Sequence, residues 1–97
     1  MAKGYWITFY RSISNPDKLA EYGKVAVPAI QAAGGRILTR GTAVKAFEAG
    51  IKERAVTIEF DSPEKAIAAY ESPAYQAALK VLGDAAERDL RIVEGVS

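Results

Sequence analysis

The chain predicts an α+β fold in the order βαββαβ, a four-stranded antiparallel sheet with helices packed on one face. Three observations carry that reading. Stretches rich in aromatic and β-branched residues recur at 4–13, 36–45, 54–60 and 90–94, each of ordinary strand length. Between them, Asn15-Pro16-Asp17, Ser62-Pro63-Glu64 and Ser72-Pro73 set a capping oxygen before a proline, the chemistry of a helix start. Finally, 97 residues, 49% of them apolar, suffice for one core and no second, so 1–97 reads as a single domain.

The first strand, Gly4 to Ile13, has no breaker and alternates two apolar faces. One carries Tyr5, Ile7, Phe9 and Arg11, the other Trp6, Thr8, Tyr10 and Ser12, and the pattern alone leaves open which meets the helices. In the first helix Leu19, Tyr22, Ala26 and Ile30 recur at helical spacing as a core stripe. Pro28 removes an amide from that helix and predicts a kink or break near Ala26 and Val27. Gly34-Gly35 ends it. The second strand spans Arg36 to Lys45, with a bulge expected at Arg40-Gly41. A polar connection over 48–52 makes a hairpin with the third strand, Arg54 to Phe60. Pairing Phe47 with Lys52 would set Arg40 opposite Glu59.

The second helix turns Ala66, Ile67 and Tyr70 inward. The third, started by Ser72-Pro73, turns in Tyr75, Ala78, Leu79, Leu82 and Ala86. The last strand covers Leu90 to Glu94. Short, right-handed connections fold this order into the ferredoxin-like arrangement, which leaves one sheet face uncovered. A second copy of the chain is the simplest cover, and a chain this short gains from it. The expected partner is therefore the chain itself, as a homodimer through the open face.

Thirteen basic and twelve acidic residues, interspersed, give a net charge of +1. That pattern lacks the basic stripe of a nucleic-acid binder and the polybasic face of a membrane binder. With no cysteine there are neither disulfides nor thiolate metal sites, which fits a reducing compartment, and a cytoplasmic location is expected. The start MAKGYWITFYRS has no apolar core before a small-residue cleavage site. No cofactor is expected: there is no His to ligate haem, and the carboxylates show no clustered metal-binding spacing.

Arg40 and Glu59 stand out as long charged groups in otherwise apolar strands. Arg40 suits a bidentate anchor for a carboxylate or phosphate, and Glu59 a general acid or base. Alternatively they pair with each other and orient the sheet. Tyr70 and Tyr75 flank the Ser72-Pro73 break, where their hydroxyls would converge as catalytic donors, or simply pack as core. Trp6 and Tyr10 are pocket walls or dimer core, and Tyr22 is a ligand contact or part of the inner stripe. Glu94 reads as a surface charge. Ser12, Ser14, Ser62 and Ser72 have no His beside them, so capping explains them better than nucleophilic attack. Gly34-Gly35 follows a helix and lacks the features of a phosphate loop.

Tyr22, Gly34-Gly35-Arg36, Arg40-Gly41, Ile58-Glu59-Phe60, Ser62, Ala66, Tyr70, Ser72-Pro73, Tyr75-Gln76 and Val93-Glu94-Gly95 form a spaced pattern across almost the whole chain. In it the chain resembles a bacterial family known as domain of unknown function thirteen-thirty. The resemblance implies a dimeric α/β-barrel, two ferredoxin-like subunits packed sheet to sheet, with a pocket between sheet and helices. It implies no activity. Ala69 stands where the family often has Trp, Thr42 where it often has a second Gly, and Leu82 where Arg is common. If that Trp and that Arg line the family's pocket, this one is larger and less cationic. The functional expectation is a pocket for a small anionic or aromatic organic molecule, with acid-base isomerase or lyase chemistry or cofactor-independent oxygenation. The rival readings are a ligand-binding module without turnover, and a structural dimer around a buried Arg40–Glu59 pair.

Overall fold

Each helix begins where a side-chain oxygen takes up an amide that the first turn leaves unpaired. In the computed structural model, which describes residues 2–96, Asn15 accepts from the Lys18 amide at 3.1 Å, Ser62 from Lys65 at 3.2 Å and Ser72 from Tyr75 at 3.3 Å. Removing such a cap typically costs about 0.5–2 kcal/mol. Ser72 also donates to the Ala69 carbonyl at 2.7 Å, so one residue closes one helix and opens the next. The elements are β1 (Gly4–Ile13), α1 (Pro16–Ala32), β2 (Arg36–Thr42), β3 (Arg54–Phe60), α2 (Pro63–Glu71), α3 (Pro73–Leu82) and β4 (Ala86–Glu94). They form one antiparallel sheet in the order β2-β3-β1-β4, the ferredoxin-like arrangement.

Several expected details differ. α1 runs unbroken through Pro28. Pro28 deprives only the carbonyl four residues back, at Lys24, and both residues are exposed, so water can take the place of the lost amide. At the far end Gly34 adopts φ +93° and Gly35 sends its amide to the Ile30 carbonyl at 2.9 Å, turning the chain into β2. β2 stops at Thr42, not Lys45, and Val44 is 91% exposed. β4 starts at Ala86 rather than Leu90, so Ala86 is a strand residue and not part of the α3 stripe. On α2 it is Ala66 and Ala69 that are buried, while Ile67 faces solvent.

The β2–β3 register also differs. Arg36 lies opposite Glu59 and Ile37 opposite Ile58; a shift between Ile37 and Thr39 then sets Arg40 opposite Val56. The bulge falls at Leu38 and not at Arg40-Gly41, and that extra residue turns Arg40 to the opposite face from Glu59. The expected Arg40–Glu59 pair does not exist.

Alternation now assigns the faces. Trp6, Thr8 and Tyr10 point toward the helices and are at most 4% exposed, whereas Phe9 on the other face is 51% exposed. The core is aromatic. Trp6 meets Tyr75 edge to face at 4.8 Å between centroids and stacks near Phe60 at 6.1 Å, geometry worth roughly 0.5–1.5 kcal/mol per pair beyond area burial. The buried Trp6 indole donates to Thr8 Oγ1 at 3.0 Å, so burying that N–H leaves nothing unpaired.

Candidate functional site

The sheet's inner face and α1 enclose a cavity of about 50 Å³, enough for a few waters at roughly 10–15 Å³ each. Its floor is Trp6, Ile37, Val56 and Ile58, and its roof is Tyr22, Ala26 and Ile30 of α1. It opens into a groove of about 630 Å³ along the outer side of α1, with Leu19, Gly23, Val27, Arg40 and Arg54 shared between the two. A Cβ built on Gly23 would meet nothing within 4 Å, so this mid-helix glycine leaves the mouth open.

Three arginines ring the cavity, and among the described residues no carboxylate lines it. Arg40, Arg54 and Arg88 reach it because β2, β3 and β4 each turn every second residue inward: Arg40 is opposite Val56, Arg54 opposite Thr42 and Arg88 opposite Tyr10. The chain's other three arginines project from the outer face and all are paired. Arg36 holds Glu59 at 2.9 Å and Asp61 at 3.1 Å, Arg91 holds Asp89 at 2.9 Å, and Arg11 approaches Asp89 at 3.6 Å. Among the described residues, none of the three inward arginines makes a salt bridge. The Nε of Arg54 is buried without any hydrogen-bond partner, an arrangement that costs free energy until an acceptor arrives.

Arg88 is the best-held of the three. It donates to the Tyr22 hydroxyl at 3.1 Å and the Tyr75 hydroxyl at 3.3 Å. Its guanidinium also lies 5.1 Å from the Tyr22 ring centre and 5.7 Å from that of Tyr10, within cation–π range. Burial, then the neighbouring Tyr22, pushes the Tyr75 phenol well above its ordinary range, and burial likewise raises Tyr22. Both phenols therefore stay protonated and act as hydrogen-bond donors, not bases.

Their oxygens are 2.6 Å apart, so one phenol donates to the other and one hydroxyl hydrogen is left over. Tyr22 lines the cavity and Tyr75 does not. With Tyr75 as donor within the pair, the Tyr22 hydrogen is available to a ligand.

The sequence-derived candidates divide between two faces. Trp6, Tyr10, Tyr22 and Arg40 come together at the cavity. Glu59 does not: it sits on the outer face, accepting from Tyr5 Oη at 2.9 Å and from Arg36 Nε. Those two hydrogen bonds, that of Arg36 first, hold its carboxyl below the usual carboxylate range. Tyr75 stands behind the cavity and acts on it through Tyr22 and Arg88.

The Tyr70 and Tyr75 rings are 5.2 Å apart, but the Tyr75 hydroxyl is bonded to Tyr22 and Arg88, so the two hydroxyls do not converge as expected. Tyr70 packs on Trp6 at 5.5 Å and borders a shallow groove with Ile67 and Leu90. Ala69 and Leu82 are core residues at 2% and 4% exposure and do not line the cavity.

Arg54 and Arg88 are not among the sequence-derived candidates; the two-residue period of their strands is the signal that points to them. Arg54 continues the inward series Val56, Ile58, Phe60, and Arg88 continues Leu90 and Ile92. Among the described residues no group of three or more His, Cys, Asp or Glu is set to hold a metal, and no helix is long and apolar enough to cross a membrane.

Comparison with known proteins places the chain. The family described as Domain of unknown function (DUF1330) matches residues 3–96, and the chain belongs to it. Solved structures share the fold at low identity. A protein of unknown function from Rhodopseudomonas palustris superposes with a TM-score of 0.76 at 15% identity, covering 99% of this chain and 84% of that one. SnoaB, described as a cofactor-independent oxygenase from Streptomyces nogalater, gives 0.68 at 8% identity over 100% and 96%. A protein from Bacteroides fragilis, described as dimeric, ferredoxin-like and of unknown function, gives 0.57 at 20% over 95% of each chain. No curated protein matches.

Proposed function

We propose that this member of the DUF1330 family is a cytoplasmic homodimer in which each subunit binds a small organic anion between α1 and the sheet. One observation carries the reading. Among the described residues, the three outward arginines all have carboxylate partners and the three inward ones have none. Partly buried cations without counter-charge are costly, and a site that keeps two of them, Arg54 and Arg88, beside the exposed Arg40 at its mouth is suited to an anion supplied from outside. Arg88 is the anchor, held by Tyr22 and Tyr75; Arg54 and Arg40 flank the mouth. Trp6, Tyr10 and Tyr22 give the walls a flat aromatic character that favours a planar ligand.

The outer face supports the dimer. Ile7, Phe9 and Val93 share it with the Tyr5–Glu59–Arg36–Asp61 network, and the Bacteroides fragilis protein of the same fold is described as dimeric. In such a pairing Glu59 belongs to the interface and not to the ligand site. Isomerase or lyase chemistry with Glu59 as base therefore loses its geometric support, and so does a dimer centred on an Arg40–Glu59 pair. If the ligand is turned over, the reading that remains is cofactor-independent oxygenation, the description carried by SnoaB.

The test is a titration of the isotope-labelled protein with benzoate, followed by amide chemical shifts. Shifts centred on Tyr22, Gly23, Arg54 and Arg88, reduced at least tenfold in affinity by Arg88→Met, are expected. Shifts confined to the outer face, or an affinity indifferent to Arg88, would overturn the reading. Native mass spectrometry of the same sample reports whether the protein is a dimer.

A further inference from the structure

Building on the anion-pocket reading, we infer that the cavity takes a weakly acidic hydroxyl, a phenol or enol on a planar body, in its ionised form and rejects the neutral form. Facing the cavity or its mouth are the Arg88 guanidinium from β4, Arg54 from β3 and Arg40 from β2, the Tyr22 hydroxyl from α1 and Thr8 from β1. Tyr10 contributes its ring, and Tyr75 of α3 acts from behind through its bonds to Tyr22 and Arg88. Lys24 borders only the outer groove and is paired with Glu21 at 3.3 Å.

This set is rich in donors and poor in acceptors. Arg54 Nε has a hydrogen with no partner. Tyr22 and Tyr75 have one hydroxyl hydrogen to spare between them. Part of the acceptor capacity is already used: with Tyr75 as donor within the pair, Tyr22 Oη takes hydrogens from both Tyr75 and Arg88, and Thr8 Oγ1 takes one from Trp6. An anionic oxygen accepts from this ring of donors and brings the counter-charge that the arginines lack, whereas a neutral hydroxyl brings one more hydrogen and no charge.

The size of the space points the same way. A cavity of about 50 Å³ holds a head group of a few atoms, while the open groove of about 630 Å³ over Gly23 takes the planar body. No carboxylate or histidine lines the cavity to accept the ligand's proton. The proton must therefore leave to water through the groove, one hydroxyl giving one bound oxyanion and one solvated proton. The site ionises its ligand by electrostatic preference alone, as an oxyanion hole does for a developing charge.

The probe is 4-nitrophenol, whose phenolate absorbs at longer wavelength than the neutral form. It is titrated with the full-length protein at a pH one unit below its solution pKa, with 4-nitroanisole as the analogue that cannot ionise and benzoate as competitor. Expected are growth of the phenolate band on binding, displacement by benzoate, and at least tenfold weaker binding of 4-nitroanisole. Arg88→Met and Arg54→Met should each diminish the band, and having both keeps the test sound if one of them fails to fold. Bound 4-nitrophenol that keeps its neutral spectrum overturns this inference and leaves the anion pocket standing, as does binding of benzoate alone. Failure of both benzoate and 4-nitrophenol to bind would overturn the pocket reading beneath it.

Discussion

The hydroxyl oxygens of Tyr22 and Tyr75, 53 residues apart in sequence, stand 2.6 Å from each other with Arg88 donating to both. This contact ties α1 to α3 and both to β4 at the back of the cavity. Because the three groups share hydrogens, their contributions to stability cannot be additive. Tyr22→Phe and Tyr75→Phe should each cost about 1–2 kcal/mol, the range for stranding a buried partner. The double replacement should cost less than the sum by about 0.5–1.5 kcal/mol. Urea unfolding of the four proteins measures this, and strictly additive costs would mean that the pair is not coupled.

The same phenols set the alkaline limit. Both are raised by burial above the ordinary phenol value near 10. A group whose native pKa is raised contributes stability that is intact below its unfolded pKa and is lost as pH rises toward the native one. The wild-type melting temperature should therefore fall progressively above about pH 10, and Tyr22→Phe/Tyr75→Phe should flatten that decline. An unchanged alkaline slope in the double variant would place the sensitive group elsewhere.

Exchanging arginines separates the two faces. Arg88→Met removes a partly buried cation that has no counter-charge, while Tyr22 and Tyr75 keep their bond to each other, so stability should change by no more than about 1 kcal/mol. Benzoate affinity should fall at least tenfold. Arg36→Met breaks the pairs with Glu59 and Asp61 on the outer face and should leave benzoate affinity unaltered. Equal effects of the two changes on binding would contradict a site confined to the inner face.

What could be read from the sequence follows the range of the forces involved. The three helix starts were legible because a cap and a proline act within four residues. The element order followed, and with it the fold. Register was not legible, since the bulge at Leu38 depends on how β2 meets β3 and no local residue signals it. The longer connection over 43–53, which pairs Thr42 with Arg54, moves Arg40 away from Glu59 along the ladder, and the bulge then turns it to the other face.

Arg88 was hidden differently. It lies in the charged run Glu87-Arg88-Asp89, which reads as solvated surface until the two-residue period of Leu90 and Ile92 is carried back through it. The Tyr70 and Tyr75 rings meet across the Ser72-Pro73 break, but the Tyr75 hydroxyl is turned to Tyr22 and Arg88, so the expected convergence of the two hydroxyls is not seen.

Acid should act on the outer face. Glu59 and Asp61 are both held below their ordinary values, in each case first by a hydrogen bond from Arg36. Groups with depressed native pKa values contribute stability present above their unfolded values, near 4, and lost as pH falls through the native ones. The difference in melting temperature between wild type and Glu59→Gln should be largest near neutrality and shrink toward pH 3, where the wild-type carboxyl approaches the same uncharged state. A difference that persists unchanged at low pH would show that the carboxylate's charge is not what Arg36 reads.

Gly23 offers the sharpest separation of stability from function. It lies in the middle of α1, where glycine is worth roughly 1 kcal/mol less than alanine because the unfolded chain loses more freedom, and its missing side chain leaves open space at the mouth. Nothing in packing requires it, since an added Cβ touches no neighbour within 4 Å. Gly23→Ala should therefore stabilise the protein by about 0.5–1 kcal/mol. Gly23→Leu, with a side chain long enough to lie across the groove, should weaken benzoate and 4-nitrophenol binding at least tenfold while the fold is retained. Chemical denaturation and the titrations above measure both quantities on the same preparations. A leucine variant that binds as well as wild type would mean that ligands do not enter past α1, and the cavity's opening would have to be sought on another side.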